Sequence, residues 1–535
     1  MLIQCLDGDN HLFWAHLDQP HRRVLHTFEI HDLTGWSLPF YPIFIPVSDL
    51  LSHDASSEKE RRESKPRNMR SKQDRIQIDR EMVVKVDPER LPEDAQFKGY
   101  EEVVVQDISF RTDNIKFRKE KYYSPGHKRT YLAALPAGYH GQFGPGVRAW
   151  VLALYYEGGM SEPKILEVVH TVGLSISAGQ LSDLLIKDQD LFHEERAQIV
   201  EAGLKSAPWQ HLDSTGTRVN GTNQHCHVLC NQLYSFYCTT PSKDRRSYLR
   251  VLLGGADPTF RLNEVAMAVL GHVKVSPKWS DQLVTVLAAD RDFSEEEIDL
   301  LLDRGLPKLG PLVRKDIKDA LAIAAYRTQV SYPVVRLLLC DDAPQFNWLT
   351  LELALCWIHE YRHYKTVIPR FTHHCSLLQD FGKAFWKLYH SLLDYRNHPD
   401  PVQAGALEAS FDQLFAHTSG YQQLDECKAR TLAKKDQLLM VLSHPEILLH
   451  NNPAELGARQ RVRKRDVSLQ ARTTEGIVAW DTFQTLVATA KKLGVNLFQY
   501  LHDRITATLA LPSLATLIGE RAQLLALGSS WQQGP

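Results

Sequence analysis

Residues 209–239 constrain the fold more than any other stretch. Trp209 to Val219, Gln224 to Cys230 and Tyr234 to Thr239 read as strands, separated by Asn220-Gly221 and Asn231-Gln232. Asn-Gly accepts the positive φ angles of a type I′ turn, so the first two strands must be antiparallel neighbours in a meander. Much further on, Val334 to Cys340 is an almost continuous apolar run, the pattern of a central strand covered on both faces. Together they call for an α/β sheet within a chain of 535 residues, long enough for three or four domains of about 150 residues each. With 43% hydrophobic and 24% charged residues, ordinary globular cores are expected.

The sheet carries misplaced charge. Asp213 falls in the middle of the first strand, where a buried carboxylate costs free energy unless cations or donors compensate it. Asp341-Asp342 ends the apolar run, the place where open α/β sheets bind ligands. A third acid stands in Asn451-Asn452-Pro453-Ala454-Glu455, which reads as a helix start with Asn452 as N-cap and Glu455 at the third helical position. That spacing is also close to a capping box, in which Glu455 would only accept a backbone N–H. Five basic residues in seven follow: Arg459, Arg461, Arg463, Lys464 and Arg465. Three acids beside a basic surface suit two-metal phosphoryl transfer, because divalent cations offset their repulsion, and hard oxygen ligands favour Mg²⁺ or Mn²⁺.

The flanks are organised differently. Residues 1–50 are aromatic-rich, with alternating Phe40, Tyr41, Ile43, Ile45 and Val47 and no assignable fold. From Ser52 to Arg75 the chain reads as a linker, and Glu58 to Arg75 holds eight basic and four acidic residues, suited either to solvent or to a polyanion. Residues 80–143 alternate in period two (Val83, Val84, Val86; Val103, Val104, Val105; Ile108, Phe110) and predict a small β-rich module. Its end, Arg111 to Tyr131, has seven Lys or Arg against two acids, interleaved with Phe117, Tyr122, Tyr123 and Tyr131. Lys116, Arg118, Lys119 and Lys121 are therefore candidate DNA contacts, although a twisted hairpin with solvated lysines has the same composition. Residues 144–206 switch to helical spacing. A helix through Ile165 and Val169, a break at Gly173 and a helix through Leu181 and Leu185 have the layout of a helix-turn-helix.

A net charge of -2 gives no whole-molecule field that would attract nucleic acid or membrane, so partners must be held by local patches. Eight cysteines without a CxxC pair suit a reducing compartment. There is no apolar stretch of about eighteen residues and no basic-then-apolar start, so a soluble, unexported, cytoplasmic protein without a membrane partner is expected.

The ordered motifs resemble a known family. His211-Leu212-Asp213-Ser214-Thr215-Gly216-Thr217-Arg218-Val219-Asn220-Gly221, Cys340-Asp341-Asp342-Ala343, Cys356-Trp357-Ile358-His359 with Arg362, and Asn451-Asn452-Pro453-Ala454-Glu455 are similar to those of DDE transposases of the insertion-sequence-66 type. The resemblance covers roughly residues 90–505. It implies an RNase H-like α/β domain at 207–505, with helical insertions at about 255–330 and 365–450 and a tail at 506–535. Before it would stand an N-terminal segment (1–79), the β-rich module (80–143) and the helix-turn-helix-like region (144–206), which would recognise element ends. It further implies Asp213, Asp341 and Glu455 as the Mg²⁺-binding catalytic triad, with Asp342, His359, Arg362 and Asn452 around it. The partners implied are double-stranded DNA, at terminal inverted repeats and target, a second copy of the chain, and accessory proteins of the same element, in a nucleoid-associated location. The metal-binding cysteines of the family's N-terminal zinc module are missing, and a DNA-binding protein without activity is the alternative.

Two other signals compete. His359-Glu360-Tyr361-Arg362-His363 matches His-Glu-x-x-His, the zinc and general-base motif of metallopeptidases, but no third ligand follows at a familiar spacing. His225, Cys226, His227, Cys230 and Cys238 crowd one hairpin, yet strand alternation divides them between faces, as expected of core residues.

Overall fold

The computed structural model describes residues 2–6, 12–16, 78–108, 110–139 and 141–531. The alternation at Phe40 to Val47 and the basic stretch Glu58 to Arg75 lie outside these residues. The chain divides into two units, Met1–Asp54 and Ala55–Pro535. In the first, strands β1 (Leu2–Leu6) and β2 (Leu12–His16) form an antiparallel hairpin with Leu2 opposite His16.

In the second unit the expected β-rich module is corrected. Among the described residues of 80–143, strand structure is confined to one hairpin, β3 (Lys121–Ser124) with β4 (Arg129–Leu132). The valine-rich alternation forms no strand, and Val84, Val103 and Val105 are 86%, 73% and 79% exposed. Period-two patterning supplies propensity, but a strand also needs a neighbour to complete its ladder. The helices that follow match their sequence signals. Glu162–Thr171 ends before Gly173, whose φ of +89° turns the chain, and Ser177 and Gln180 form a capping box at the start of Ala178–Ile186.

The central sheet contains β5 (Trp209–Val219), β6 (Thr222–Cys230) and β7 (Ser235–Thr240), joined later by β10 (Leu337–Cys340) and β11 (Glu352–Leu355). A separate two-residue pair, β8 (Phe260–Arg261) with β9 (Asp292–Phe293), lies between them in the chain. The sheet order is β11-β10-β5-β6-β7; β10 runs parallel to both neighbours, while β5, β6 and β7 are antiparallel. Asn220 and Gly221 both adopt positive φ, 45° and 75°, so the β5–β6 turn is the one their chemistry favours.

Alternation along β10 feeds two cores. Leu338 and Cys340 join the core on one face, with the helices of 145–206, 264–328 and 474–525; Leu337 and Leu339 join the other, with the aromatic helices of 357–443. Phe381, Phe385 and Leu388, spaced along one face of the helix Thr372–Asn397, are buried in that second core. Helices Glu264–His272, Pro277–Val286, Glu295–Gly305 and Pro311–Thr328 bury Leu270, Leu283, Leu302 and Leu321 in the same core as the sheet. Cys226, Cys230 and Cys238 are free thiols buried in the sheet. Among the described residues no helix is long and apolar enough to cross a membrane.

The exposed edge of β7 is closed by side chains. Ser235, Tyr237 and Thr239 donate backbone N–H bonds to Thr489 (3.3 Å), Thr485 (3.0 Å) and Asp481 (2.7 Å) of the helix Thr474–Lys492. Four helical residues rise about 6 Å and two strand residues about 6.7 Å, so acceptors every fourth position follow donors every second one. This arrangement satisfies donors that would otherwise invite another strand. Thr485→Val keeps the side-chain shape but leaves the buried Tyr237 N–H unpaired; a loss of about 1–3 kcal/mol in urea unfolding is expected.

Candidate active site

Alternation and register bring the three acids to one face. Leu212 points into the first core, so Asp213 points to the opposite face, and its cross-strand partner Val228 belongs to a small cluster with Tyr237 and Ala458. The parallel ladder of β10 and β5 pairs Leu339 with His211; Asp341 and Asp213 each lie two residues further along. Cys340 faces the first core, so Asp341 continues the alternation to the same face as Asp213. Helix Asn452–Ser468 crosses that face. A Cβ on Gly457 would lie 2.6 Å from Val228 Cγ1, so only glycine allows this approach, and Tyr237 Oη donates to the Gly457 carbonyl at 3.1 Å. Glu455 stands two residues before Gly457.

The carboxylates interact. Asp213 is pushed up to about 7, first by burial and then by the charges of Glu455 and Asp341; the Ser214 N–H at 2.7 Å and Arg362 oppose the rise. Glu455 faces His359 Nδ1 and Arg362, each at 3.5 Å, and Arg362 donates to His359 Nε2 at 2.7 Å. A guanidinium can only donate, so His359 receives at Nε2 and carries its proton at Nδ1, toward Glu455. Burial and the neighbouring Arg362 lower the pKa of His359 and keep it neutral. Glu455 Oε1 and His359 Nδ1 are buried without a hydrogen bond. The charged partner of Glu455 thus comes from helix Trp357–Lys365, not from the Arg459 one turn away.

The expected cap is corrected. Asn451, not Asn452, is the N-cap residue; it makes no capping bond, and Glu455 N–H donates to the Asn451 carbonyl at 3.1 Å. The capping-box alternative therefore does not describe Glu455. The Asn451 side chain instead ties helix to sheet, donating to the Leu212 carbonyl at 2.8 Å and accepting from His211 Nδ1 at 3.0 Å. Its N–H reaches Cys356 Sγ at 3.3 Å. Burial drives His211 down to about 3, so the ring is neutral. Asn451, His211 and Gly457 were not singled out from the sequence as positioning groups. His211 and Asn451 stand only as members of the quoted motifs, and the hint for Gly457 is a glycine inside a helix two residues after an acid. Tyr248 was missed as well; its hydroxyl lies 3.3 Å from Ser214 Oγ.

The remaining predicted residues separate. Asp342 leaves the acidic face and pairs with Lys434 at 2.5 Å. Asn452 is buried at the helix start. Arg461 and Lys464 are corrected as DNA contacts: both are buried, Arg461 bonded to Asp481 and Lys464 to the Tyr155 carbonyl at 3.0 Å, over the Tyr155 ring. Helical periodicity turns alternate members of a basic run inward. Arg459 and Arg463 are exposed, and Arg465 donates to the Gly216 carbonyl at 2.6 Å. Lys116, Arg118, Lys119 and Lys121 are exposed just before and within the β3–β4 hairpin.

The His-Glu-x-x-His match does not form a zinc peptidase site. His359 groups with Cys356 and Glu455, and His363 with Asp342 and Glu360, so the two histidines do not converge on one ion. Glu360 is buried and bonded to Thr431 at 2.6 Å and Lys434 at 2.9 Å, which commits the would-be base to structure. Burial raises the Cys356 thiol to about 11, so the donors the acidic face offers a cation are hard carboxylate oxygens.

A sequence profile described as "Transposase IS66 family" matches residues 140–259 and 330–479, half of the chain. The chain belongs to this family of transposases. The gap at 260–329 falls on the β8–β9 pair and the helices Glu264–His272, Pro277–Val286, Glu295–Gly305 and Pro311–Thr328. "Uncharacterized protein y4jO" of Sinorhizobium fredii (strain NBRC 101917 / NGR234) is 29% identical over 337 residues, covering 61% of this chain and 100% of that relative.

Because Asp213 binds its proton more tightly folded (about 7) than in its ordinary state (3.8), the folded protein loses stability as pH rises through that window. Asp213→Asn mimics the protonated form. In chelator, thermal melting of the variant should match wild type near pH 3.8 and exceed it above pH 7. Identical curves at all pH values would contradict the burial and repulsion described.

Proposed function

We propose that this protein is a DNA transposase that cuts a phosphodiester at the ends of an insertion element and joins the freed end to target DNA. The observation that carries this reading is the convergence of Asp213, Asp341 and Glu455 on one half-buried sheet face, with the charges of Glu455 and Asp341 opposing ionisation of Asp213. The sheet order, with a three-stranded antiparallel meander flanked by two parallel strands, supports an RNase H-like catalytic domain.

The donor set fits a hard divalent cation: carboxylate oxygens, one of them buried without a hydrogen bond, and a carboxyl whose ionisation awaits positive charge. Mg²⁺ or Mn²⁺ held by Asp213, Asp341 and Glu455 would supply Lewis-acid stabilisation of the attacking and leaving oxygens of an in-line displacement. The chain's own residues do the rest. Asn451 and His211 orient the Glu455 helix against β5. Neutral His359 and Arg362 steady the Glu455 carboxylate. Arg459 and Arg463 contact backbone phosphates, as do Lys116, Arg118, Lys119 and Lys121, while helices Glu162–Thr171 and Ala178–Ile186 read the element end. Water first breaks the phosphodiester to leave a 3′ hydroxyl, which then attacks target DNA. Two ends favour a homodimer on DNA, with accessory proteins of the same element as further partners, in a cytoplasmic, nucleoid-associated setting.

Incubated with Mg²⁺ and DNA bearing element ends, wild-type protein should cut, and Asp213→Asn or Glu455→Gln should reduce cleavage to background while leaving DNA binding intact. Protein that binds ends without cutting them would be an inactive descendant. Arg463→Ala should lower the slope of log affinity against log salt by about 0.9, the value of one phosphate contact. Arg461→Ala should instead cost about 3–5 kcal/mol of stability by stranding buried Asp481.

A further inference from the structure

An open cleft of about 760 Å³ lies away from the acidic face, between the chain leading into the β3–β4 hairpin and the first helices of the second unit. Its lining includes the aromatic rings of Phe110, Phe117, Tyr139, Trp150 and Phe498 beside polar residues such as Arg111, Asp113 and Asn114. Phe110, Phe117 and Phe498 remain 63%, 39% and 40% exposed, an unusual cost for rings that could pack inside. Each packs against another ring of the lining. Phe110 meets Trp150 at 5.8 Å between centroids, and Phe117 meets Tyr139 edge-on at 5.1 Å. Gly144 leaves room for Tyr139, since a Cβ there would approach the ring to 3.1 Å.

Two further features indicate the occupant. One wall, Phe110 to Ile115 with Phe117, includes Arg111 and Asp113, and the exposed Lys116, Arg118, Lys119 and Lys121 adjoin it along the chain. From the opposite wall Gln142 accepts a hydrogen bond from Gln180 at 3.0 Å, which joins the cleft to the first turn of helix Ala178–Ile186, the second helix of the helix-turn-helix-like pair. Flat apolar faces reached through a basic track are the surface that unpaired nucleotides require: phosphates follow the cations while bases stack on rings. A paired duplex cannot present base faces in this way.

We propose that the cleft binds unpaired nucleotides of a DNA strand, with their bases stacked against Phe117, Tyr139 and Phe498. This rests on the DNA-binding part of the function proposed above and deepens it, since a strand end next to the duplex-reading helices would be held open there. The site is independent of the carboxylates and of any metal.

The test uses the full chain in chelator, so that cleavage plays no part. Affinity is measured by fluorescence anisotropy for a blunt duplex and for the same duplex ending in three unpaired nucleotides, one of them 2-aminopurine. Wild-type protein should favour the unpaired end by about ten-fold or more, from the stacking of one base, with a change in 2-aminopurine emission on binding. Phe117→Ala with Phe498→Ala, at positions outside the buried cores, should abolish both the preference and the emission change while blunt-duplex affinity stays within about two-fold. Equal wild-type affinities, a preference that survives in the variant, or equal loss of both DNAs would overturn the proposal. Binding of blunt duplex without preference overturns only the cleft; failure to bind either DNA overturns the DNA-binding reading as well.

Discussion

Placing three carboxylates on one half-buried face is unfavourable, and much of the surrounding structure serves to hold that arrangement. Like charges in a medium of reduced dielectric repel by several kcal/mol at close range. Asp213 responds by binding its proton, and Glu455 by drawing in Arg362. Neither response moves the backbone, because the elements that carry the acids are fixed by other contacts.

Those contacts are specific. The helix of Glu455 lies on the sheet through Gly457 and is tied to β5 through the buried Asn451, whose bonds to His211 and Leu212 set its height above the strand. One turn further, Arg461 turns inward to Asp481, which also accepts the N–H of Thr239 and its hydroxyl. One carboxylate thus links the Glu455 helix, the edge strand and the helix that seals that edge. A buried pair of this kind adds little net stability, but removing one member is costly, so it fixes geometry more than it strengthens the fold. The basic run is divided as a result: its inward members, Arg461 and Lys464, position the helix, while Arg459 and Arg463 are left exposed.

Short-range rules account for the legible parts. Asn220-Gly221 requires its turn, the apolar run to Cys340 requires a strand covered on both sides, and Ser177 and Ser294 each begin a helix through a capping box. Local rules failed where the outcome depended on a distant neighbour. Val83 to Val86 and Val103 to Val105 have strand patterning without a strand to pair with. Asn451 looked like an ordinary residue beside a cap, because its true partners, His211 and Leu212, are far away in the chain. Glu360 and His363 matched a catalytic spacing along one helix, but Thr431 and Lys434 engage the first of them from another.

By itself the sequence determined the strands β5, β6, β7 and β10 and the turn between the first two, because backbone sterics and side-chain periodicity act over a few residues. Tertiary structure decided which face the acids share, which arginines are buried, and that Arg362 of another helix rather than the neighbouring Arg459 meets Glu455. Those outcomes depend on register between strands, on the absence of one Cβ at Gly457 and on charges brought together across more than two hundred residues. No local pattern encodes such distances; only the packed chain fixes them.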